Sequence, residues 1–247
     1  MSEEVIYGVN PVKEALRGTR RAFELFVAQG ASDQRLEKIV KLAEERDVPV
    51  RRRQRQDLAR LCGTDHHQGV ALRVEGFTYA ELDEVLQAWH QTGEPGLILV
   101  LDSIQDPHNL GAMIRTAACT GAQAVIIPKD RAAGVTAAAE KAAAGAANTV
   151  SVVRVTNIAT TLEQLKSAGF WVYGAAVEQA ESLYRLKLDG NIVVVIGGEG
   201  EGIRPLVRKQ CDALFTIPLL GGVASLNASV AGGVCLYEVV RQRLVKK

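Results

Sequence analysis

The chain has few residues suited to metal binding or disulfide formation. Four cysteines and four histidines occur among 247 residues, and the cysteines lie far apart without the Cys-x-x-Cys spacing of a zinc site. The sequence therefore predicts no metal and no disulfide framework, and it favours a reducing cytoplasm. Net charge is nearly absent, with 29 Lys plus Arg against 28 Asp plus Glu, so a nucleic-acid-binding surface must be local.

Signals for export or membrane insertion are also weak. The first ten residues are acidic and lack the basic and apolar regions of a signal peptide. Residues 219–237 carry little charge, but they include glycines and three polar side chains. We therefore expect a buried element there and not a membrane span.

Residues 1–76 have the pattern of a small α/β unit. Apolar periodicity predicts helices and strands, in chain order, at residues 10–18 (helix), 23–28 (strand), 33–46 (helix) and 69–74 (strand). Five arginines fall between positions 51 and 60: Arg51, Arg52, Arg53, Arg55 and Arg60. Such a run is either a solvated face or a strip that contacts phosphates.

Residues 77–96 contain four acids, no Lys or Arg, and end in Gly and Pro, so they are predicted to be a linker. From residue 97 to 247, short apolar runs alternate with helical segments. This order indicates βαβ units and a mostly parallel sheet covered on both faces. The Ala-rich stretch 131–147 is expected to be an ordinary packed helix.

Three clusters in this second domain follow apolar runs, where ligands bind in parallel sheets. In the first, a strand ends at Asp102 and a loop leads into a helix with Asn109 and Arg115. Asn109 suits a helix cap. Arg115 lies among apolar residues and needs solvent or a partner.

The second cluster is the sequence GGEGEGIRP at residues 197–205. It lacks the GxGxxG spacing of dinucleotide-binding folds and lies too near the end of the chain, which argues against an ordinary Rossmann oxidoreductase. Its glycines let a ligand approach the backbone, and Glu199 supplies a carboxylate. The third cluster, residues 217–234, contains Ser225 and Asn227 just before the last helix, where capping would explain them locally. Its small and polar residues are expected to pack tightly against another segment or a ligand.

In this order, PHNLGAMIRTA, GGEGEGI and IPLLGGVASLNASVA resemble the three motifs of the SpoU (TrmH/RlmB-type) branch of the SPOUT methyltransferases. These enzymes methylate ribose 2′-hydroxyls of RNA with S-adenosylmethionine. VIYGVNPVKEAL and HHQGVAL resemble the N-terminal substrate-binding domain of RlmB-type members, which modify a guanosine of 23S ribosomal RNA. The resemblance implies an α/β domain with a deep trefoil knot at residues 97–247, a smaller N-terminal RNA-binding domain, and a homodimer.

The resemblance also implies roles for individual residues. The implied catalytic residues are Asn109, Arg115, Glu199, Ser225 and Asn227. The implied cofactor-binding residues are Gly197, Gly200, Ile217 and Leu226. We expect Arg115 to lower the pKa of the ribose hydroxyl while Asn109 and Glu199 hold its guanidinium. We expect Arg51, Arg52, Arg53 and Arg55 to contact RNA.

Two other functions stay open at this point. The first is methylation of tRNA, against which the N-terminal module argues. The second is a non-catalytic RNA-binding protein on the same fold, which the joint presence of Arg115, Glu199 and Asn227 disfavours.

Overall fold

The computed structural model describes residues 3–18, 20–30, 34–176 and 180–245. The chain divides into two compact units, Met1–Thr78 and Tyr79–Lys247. Both are α/β, as the sequence predicts, and none of the helices in the described ranges is long and apolar enough to cross a membrane.

The first unit is a four-stranded mixed sheet with three helices. Its elements are β1 (Glu3–Tyr7), α1 (Val9–Arg17), β2 (Ala22–Ala28), α2 (Gln34–Glu44), β3 (Val50–Arg53), α3 (Arg55–Cys62) and β4 (Val70–Glu75). The strand order is β1-β4-β2-β3, with β2 and β3 parallel and the other pairs antiparallel. Helix α2 buries Leu36, Ile39 and Ala43, the stripe expected of an amphipathic helix.

Three elements of this unit were not predicted. They are β1, β3 and α3, and the five arginines therefore lie on an edge strand and the helix after it. The sequence of β3, VRRR, has no apolar alternation, because its three arginines are exposed and neither face of this edge strand is buried. The predicted start of the second helix at Asp33 lies outside the described residues.

The second unit is a seven-stranded sheet in which every pair is parallel. Its strands are β5 (Leu97–Asp102), β6 (Ala124–Pro128), β7 (Ser151–Val155), β8 (Trp171–Ala175), β9 (Glu181–Ser182), β10 (Ile192–Gly197) and β11 (Ala213–Thr216). The order is β7-β6-β5-β10-β8-β11-β9. Every residue of β5 is buried, because helices cover both faces of such a sheet. The predicted parallel sheet is confirmed.

Among the described residues of this unit, six α-helices complete the fold. They are α4 (Leu82–His90), α5 (Pro107–Cys119), α6 (Ala137–Ala143), α7 (Ile158–Ser167), α8 (Pro205–Gln210) and α9 (Ala228–Val245). The Ala-rich stretch allows α6 to approach α5 closely, since a Cβ on Gly111 would lie 2.3 Å from the Ala139 carbonyl oxygen. Helix α9 also packs on α5, where Gly232 lies beside Met113.

The predicted linker differs from what the structure contains. Residues 82–90 form helix α4, whose Leu82, Val85 and Trp89 are buried in the core of the second unit. The Trp89 ring lies 4.5 Å from the ring of Phe170. These apolar residues recur at helical spacing and bury one face, while the acidic residues of the segment lie mostly on the exposed side.

Candidate active site

Two of the three sequence clusters meet at the carboxyl ends of the central strands. Strands β5 and β10 are neighbours, and Asp102 at the end of β5 pairs with Gly197 at the end of β10. The glycine-rich segment after β10 therefore lies beside the loop that leads into α5. This is the edge at which parallel α/β sheets bind ligands.

A tight turn after β10 needs glycine for steric reasons. The Gly202 N–H donates to the Gly198 carbonyl at 3.0 Å, which closes the turn. A Cβ on Gly197 would lie 2.0 Å from the Gly202 carbonyl carbon, and one on Gly198 would lie 2.7 Å from the Ser103 carbonyl oxygen. Gly202 has a φ of 67°, a conformation that L side chains rarely adopt. The turn thus presents bare backbone and the side chains of Glu199 and Glu201.

A buried ion pair attaches this turn to β5. The Asp102 side chain is fully buried, and its Oδ1 accepts a hydrogen bond from Arg204 Nε at 2.7 Å and lies 2.7 Å from Nη2. Its Oδ2 accepts from the Arg204 backbone N–H at 2.7 Å. Sequence reasoning missed this pair, although a carboxylate at the end of a wholly apolar strand is a signal, because buried charges need partners.

Three of the predicted catalytic side chains form one hydrogen-bonded cluster. Asn109 Nδ2 donates to Glu199 Oε1 at 2.6 Å. Asn227 Nδ2 donates to Asn109 Oδ1 at 3.0 Å and to Glu199 Oε1 at 3.2 Å. Each residue comes from a different sequence cluster, so the fold brings all three clusters together.

The capping alternatives for the two asparagines have different outcomes. Asp106 caps α5, accepting from the His108 N–H at 3.0 Å, and Pro107 is the first helical residue. Asn109 is therefore not the cap, and its buried side chain serves the cluster instead. Asn227 does both, because its Oδ1 accepts from the Ser229 N–H at 2.9 Å at the start of α9 while its Nδ2 joins the cluster.

The prediction that Asn109 and Glu199 hold the guanidinium of Arg115 is wrong for contacts within one chain. Its side chain is exposed and makes no hydrogen bond or ion pair with any described residue. Asn109 and Glu199 bond to Asn227 instead. The reason is helical geometry, since Arg115 lies six residues after Asn109, about 9 Å along α5 and about 240° around it.

A cavity of about 630 Å³ opens beside the cluster. The glycine turn, the end of β11 and the segment before α9 line it, and all four predicted cofactor-binding residues do so: Gly197, Gly200, Ile217 and Leu226. Ser225 and Asn227 lie on the same wall. Residues 219–227 are exposed, so this part of the third cluster does not pack tightly in the single chain, whereas Gly232 packs beside Met113 as expected. Residues 219 and 224–227 line the cavity, which agrees with the alternative of packing against a ligand.

Neither the half-buried thiol of Cys211 nor the buried thiol of Cys235 suits nucleophilic chemistry near neutral pH. Burial raises the pKa of Cys211 to about 11 and that of Cys235 to about 12, and a thiol is nucleophilic only as thiolate. Over the ranges that the structure describes, no group of three or more His, Cys, Asp or Glu is arranged to hold a metal ion.

The arginine strip of the first unit is not uniform. Arg51 forms an ion pair with Glu24 on the neighbouring strand, and Arg60 lies 3.9 Å from Asp57. Three others are exposed and their side chains have no polar partner among the described residues: Arg52, Arg53 and Arg55. Of the five arginines in this strip, these three are therefore the ones without an ion-pair partner among the described residues.

Two family models match the chain. The SpoU rRNA methylase family matches residues 96–237, and an RNA 2′-O ribose methyltransferase substrate-binding model matches residues 5–80. Curated relatives match over nearly their whole length. The 23S rRNA (guanosine-2′-O-)-methyltransferases RlmB of Pseudomonas putida and Haemophilus influenzae are each 45% identical to 99% of this chain, covering 98% and 99% of their own chains.

Solved structures share the fold. A putative RNA methyltransferase of the TrmH family from Porphyromonas gingivalis is 26% identical with a TM-score of 0.60, and the match covers 97% of this chain and 90% of that one. The SpoU methyltransferase AviRb from Streptomyces viridochromogenes, in complex with AdoMet, has a TM-score of 0.63 at 24% identity and covers 98% of this chain and 91% of that one.

Proposed function

Because the chain belongs to the SpoU rRNA methylase family, we propose that it transfers a methyl group from S-adenosylmethionine to the ribose 2′-hydroxyl of a guanosine in 23S ribosomal RNA. The observation that carries this proposal is the 45% identity over the whole length of enzymes with that named activity. The cluster of Asn109, Glu199 and Asn227 beside a cavity at the strand ends supports it chemically.

The cavity of about 630 Å³ fits S-adenosylmethionine. Bare backbone at Gly197 and Gly198 can bond to an adenine ring, and Ile196, Ile217 and Leu226 supply apolar surface to its faces. Ligand pockets of this size typically combine apolar walls with few polar groups. When bound, the cofactor supplies an electrophilic methyl group on its sulfonium.

The polar cluster orients the acceptor. Glu199 is held by two amide N–H groups, which fixes its carboxylate at the edge of the cofactor cavity. Ser225, on the same wall, completes the polar surface for a ribose. Alignment of the hydroxyl with the methyl donor can supply a large part of the acceleration in such displacements. The 2′-oxygen would bond to the methyl carbon as the methyl–sulfur bond breaks, and the hydroxyl proton would pass to water. A guanidinium near the hydroxyl lowers its pKa and so favours loss of this proton, and we assign that role to Arg115.

In this proposal the protein is a homodimer, and Arg115 of one copy lies at the active site of the other. It lies on the exposed side of α5, and the adjoining helix α9 exposes Val230 and Tyr237, seven residues apart and so on one face. We propose that a second copy covers this surface and places Arg115 at the partner's cluster. In sedimentation the wild-type protein should have the mass of a dimer, and Tyr237→Glu should have the mass of a monomer. A dimer mass for Tyr237→Glu would contradict this interface.

The first unit binds the RNA through Arg52, Arg53 and Arg55. Removal of one arginine–phosphate ion pair should reduce the slope of log affinity against log salt by about 0.7 to 0.9. Replacing these three by Gln should flatten the slope by about 2.1 to 2.7, while Arg51→Gln should leave it unchanged because Glu24 already neutralises Arg51. Titration of a fluorescent ribosomal RNA fragment measures both. An equal slope in the triple variant would make the strip a solvated face.

The deep trefoil knot and a cytoplasmic location complete the proposal. We infer the knot from membership of the family, and the cytoplasmic location from ribosomal RNA as the proposed substrate. The decisive cellular experiment compares ribose methylation across 23S rRNA and tRNA with and without the gene. Loss of one 2′-O-methylguanosine in 23S rRNA supports the proposal. Loss of a tRNA methylation alone would favour the tRNA alternative, and no loss would favour a non-catalytic protein.

A further inference from the structure

A second cavity lies on the other side of the glycine turn. Its volume is about 400 Å³, within the size range of small-ligand pockets. Residues 198–202 line both cavities. The rest of its wall comes from the end of β5 and the starts of α5 and α8: Ser103, Ile104, Gln105, Asp106, Asn109 and Arg204. Two members of the polar cluster, Asn109 and Glu199, therefore face the space next to the cofactor cavity.

The charges of this cavity disfavour a phosphate and suit a neutral base. Three carboxylates line it, those of Asp106, Glu199 and Glu201. Its one cation along the described wall, Arg204, already pairs with buried Asp102. An anion would meet net negative charge there. A base with both donors and acceptors can pair with these carboxylates and with the guanidinium of Arg204, since all of them line the cavity.

The guanidinium of Arg204 is held in a defined orientation. Its Nε and Nη2 both contact Asp102 Oδ1 at 2.7 Å, so its opposite edge, Nη1 with the second N–H of Nη2, faces away from Asp102. The side chain is 37% exposed, and Nη1 has no partner among the described residues. Two parallel donors of this kind match two adjacent acceptors.

Guanine is the base that presents such a pair, O6 and N7. Adenine places an amino donor where guanine has O6, and a donor there would face the guanidinium. The N1–H and N2–H₂ groups of guanine need acceptors, which the carboxylates of this cavity provide.

We propose that this second cavity receives the target base, rotated out of the RNA, and that Arg204, held by Asp102, reads the O6 and N7 of guanine. Enzymes that do chemistry on a base extrude it into such a pocket, and an enzyme that selects a guanosine by the edge of its base needs the same access to that base. The inference rests on the proposed function, because it places the acceptor nucleotide next to the cofactor cavity.

The test removes one acceptor atom from the substrate. Two RNA fragments are prepared that differ only in guanosine or 7-deazaguanosine at the methylated position. With the wild-type protein, loss of N7 should lower kcat/KM by about ten- to hundredfold, as expected for one hydrogen bond to a charged group. Equal rates on the two RNAs would overturn the inference.

Variants separate recognition from folding. Arg204→Lys keeps a cation beside Asp102 but lacks the planar fork, so it should be slow on both RNAs with no further loss on 7-deazaguanosine. The matched exchange Arg185→Lys, at an exposed position lining neither cavity, should retain the wild-type ratio. Cofactor affinity and the unfolding midpoint of each variant verify that the first cavity is intact.

Two failures are distinguishable. If the wild-type protein binds S-adenosylmethionine but methylates neither RNA, the proposed function itself fails. If it methylates guanosine RNA and Arg204→Lys shows the same N7 penalty as the wild type, only the assignment of Arg204 is wrong.

Discussion

Asp102→Asn should destabilise the second unit strongly although the two side chains have nearly the same shape. The carboxylate is fully buried and accepts from three Arg204 donors, each at 2.7 Å. An asparagine has one oxygen and one NH₂ group, so at least one Arg204 donor would face another donor. Breaking a buried pair costs about 3 to 5 kcal/mol. Because Arg204 is 37% exposed and water can solvate part of its charge, we expect about 3 kcal/mol, the lower end of that range.

Urea unfolding followed by tryptophan fluorescence measures this change. Both tryptophans, Trp89 and Trp171, belong to the second unit, so the signal reports on that unit alone. A destabilisation of about 3 kcal/mol should lower the midpoint by about 1 M urea.

The matched control is Asp83→Asn. Asp83 is an exposed carboxylate of the same unit that accepts one bond from Gln164, and its replacement should change stability by no more than about 0.5 kcal/mol. If Asp102→Asn unfolds at the same urea concentration as this control, the buried pair does not hold the glycine turn to β5.

Two further substitutions test the turn and the polar cluster. Gly197→Ala should abolish cofactor binding in calorimetry, because the added Cβ would lie 2.0 Å from the backbone of Gly202. The control Gly190→Ala, with no atom within 4 Å of the added Cβ, should bind the cofactor normally. Normal binding by Gly197→Ala would contradict the steric account. Glu199→Gln should keep cofactor affinity and lower the rate of methyl transfer by about tenfold, since neutral hydrogen bonds to the two asparagines are weaker than charge-assisted ones. Glu163→Gln, on an exposed helix face, should transfer at the wild-type rate, and an equal rate for Glu199→Gln would remove that carboxylate from the mechanism.

The parallel sheet could be predicted because its strands are buried on both faces. Residues 97–102 are apolar up to Asp102, and the predicted strand agrees with β5 residue for residue. Strand β3 could not be predicted in this way, since VRRR lies at a sheet edge and contributes almost nothing to the core. The acidic segment 77–96 is predicted to be a linker although it contains helix α4. Its charged residues are conspicuous in the sequence, whereas only three side chains of α4 are buried.

The candidate site was predictable in composition but not in its contacts. Asn109, Glu199 and Asn227 stand out as polar residues in the segments that follow strands β5, β10 and β11, and the fold brings them together. Which groups pair depends on how helices are rotated, and this rotation directs Arg115 away from Asn109. The pair of Asp102 and Arg204 is 102 residues apart in sequence, and no local pattern links two residues at that distance.

Analysis of the product nucleosides tests the central claim most directly. The purified protein is incubated with 23S rRNA transcript and S-adenosylmethionine carrying a labelled methyl group, and the digested RNA is analysed by mass spectrometry. The account predicts label in 2′-O-methylguanosine at one position, and none in tRNA treated in parallel. Label on a base, label in tRNA alone, or no transfer by protein that binds the cofactor would contradict it.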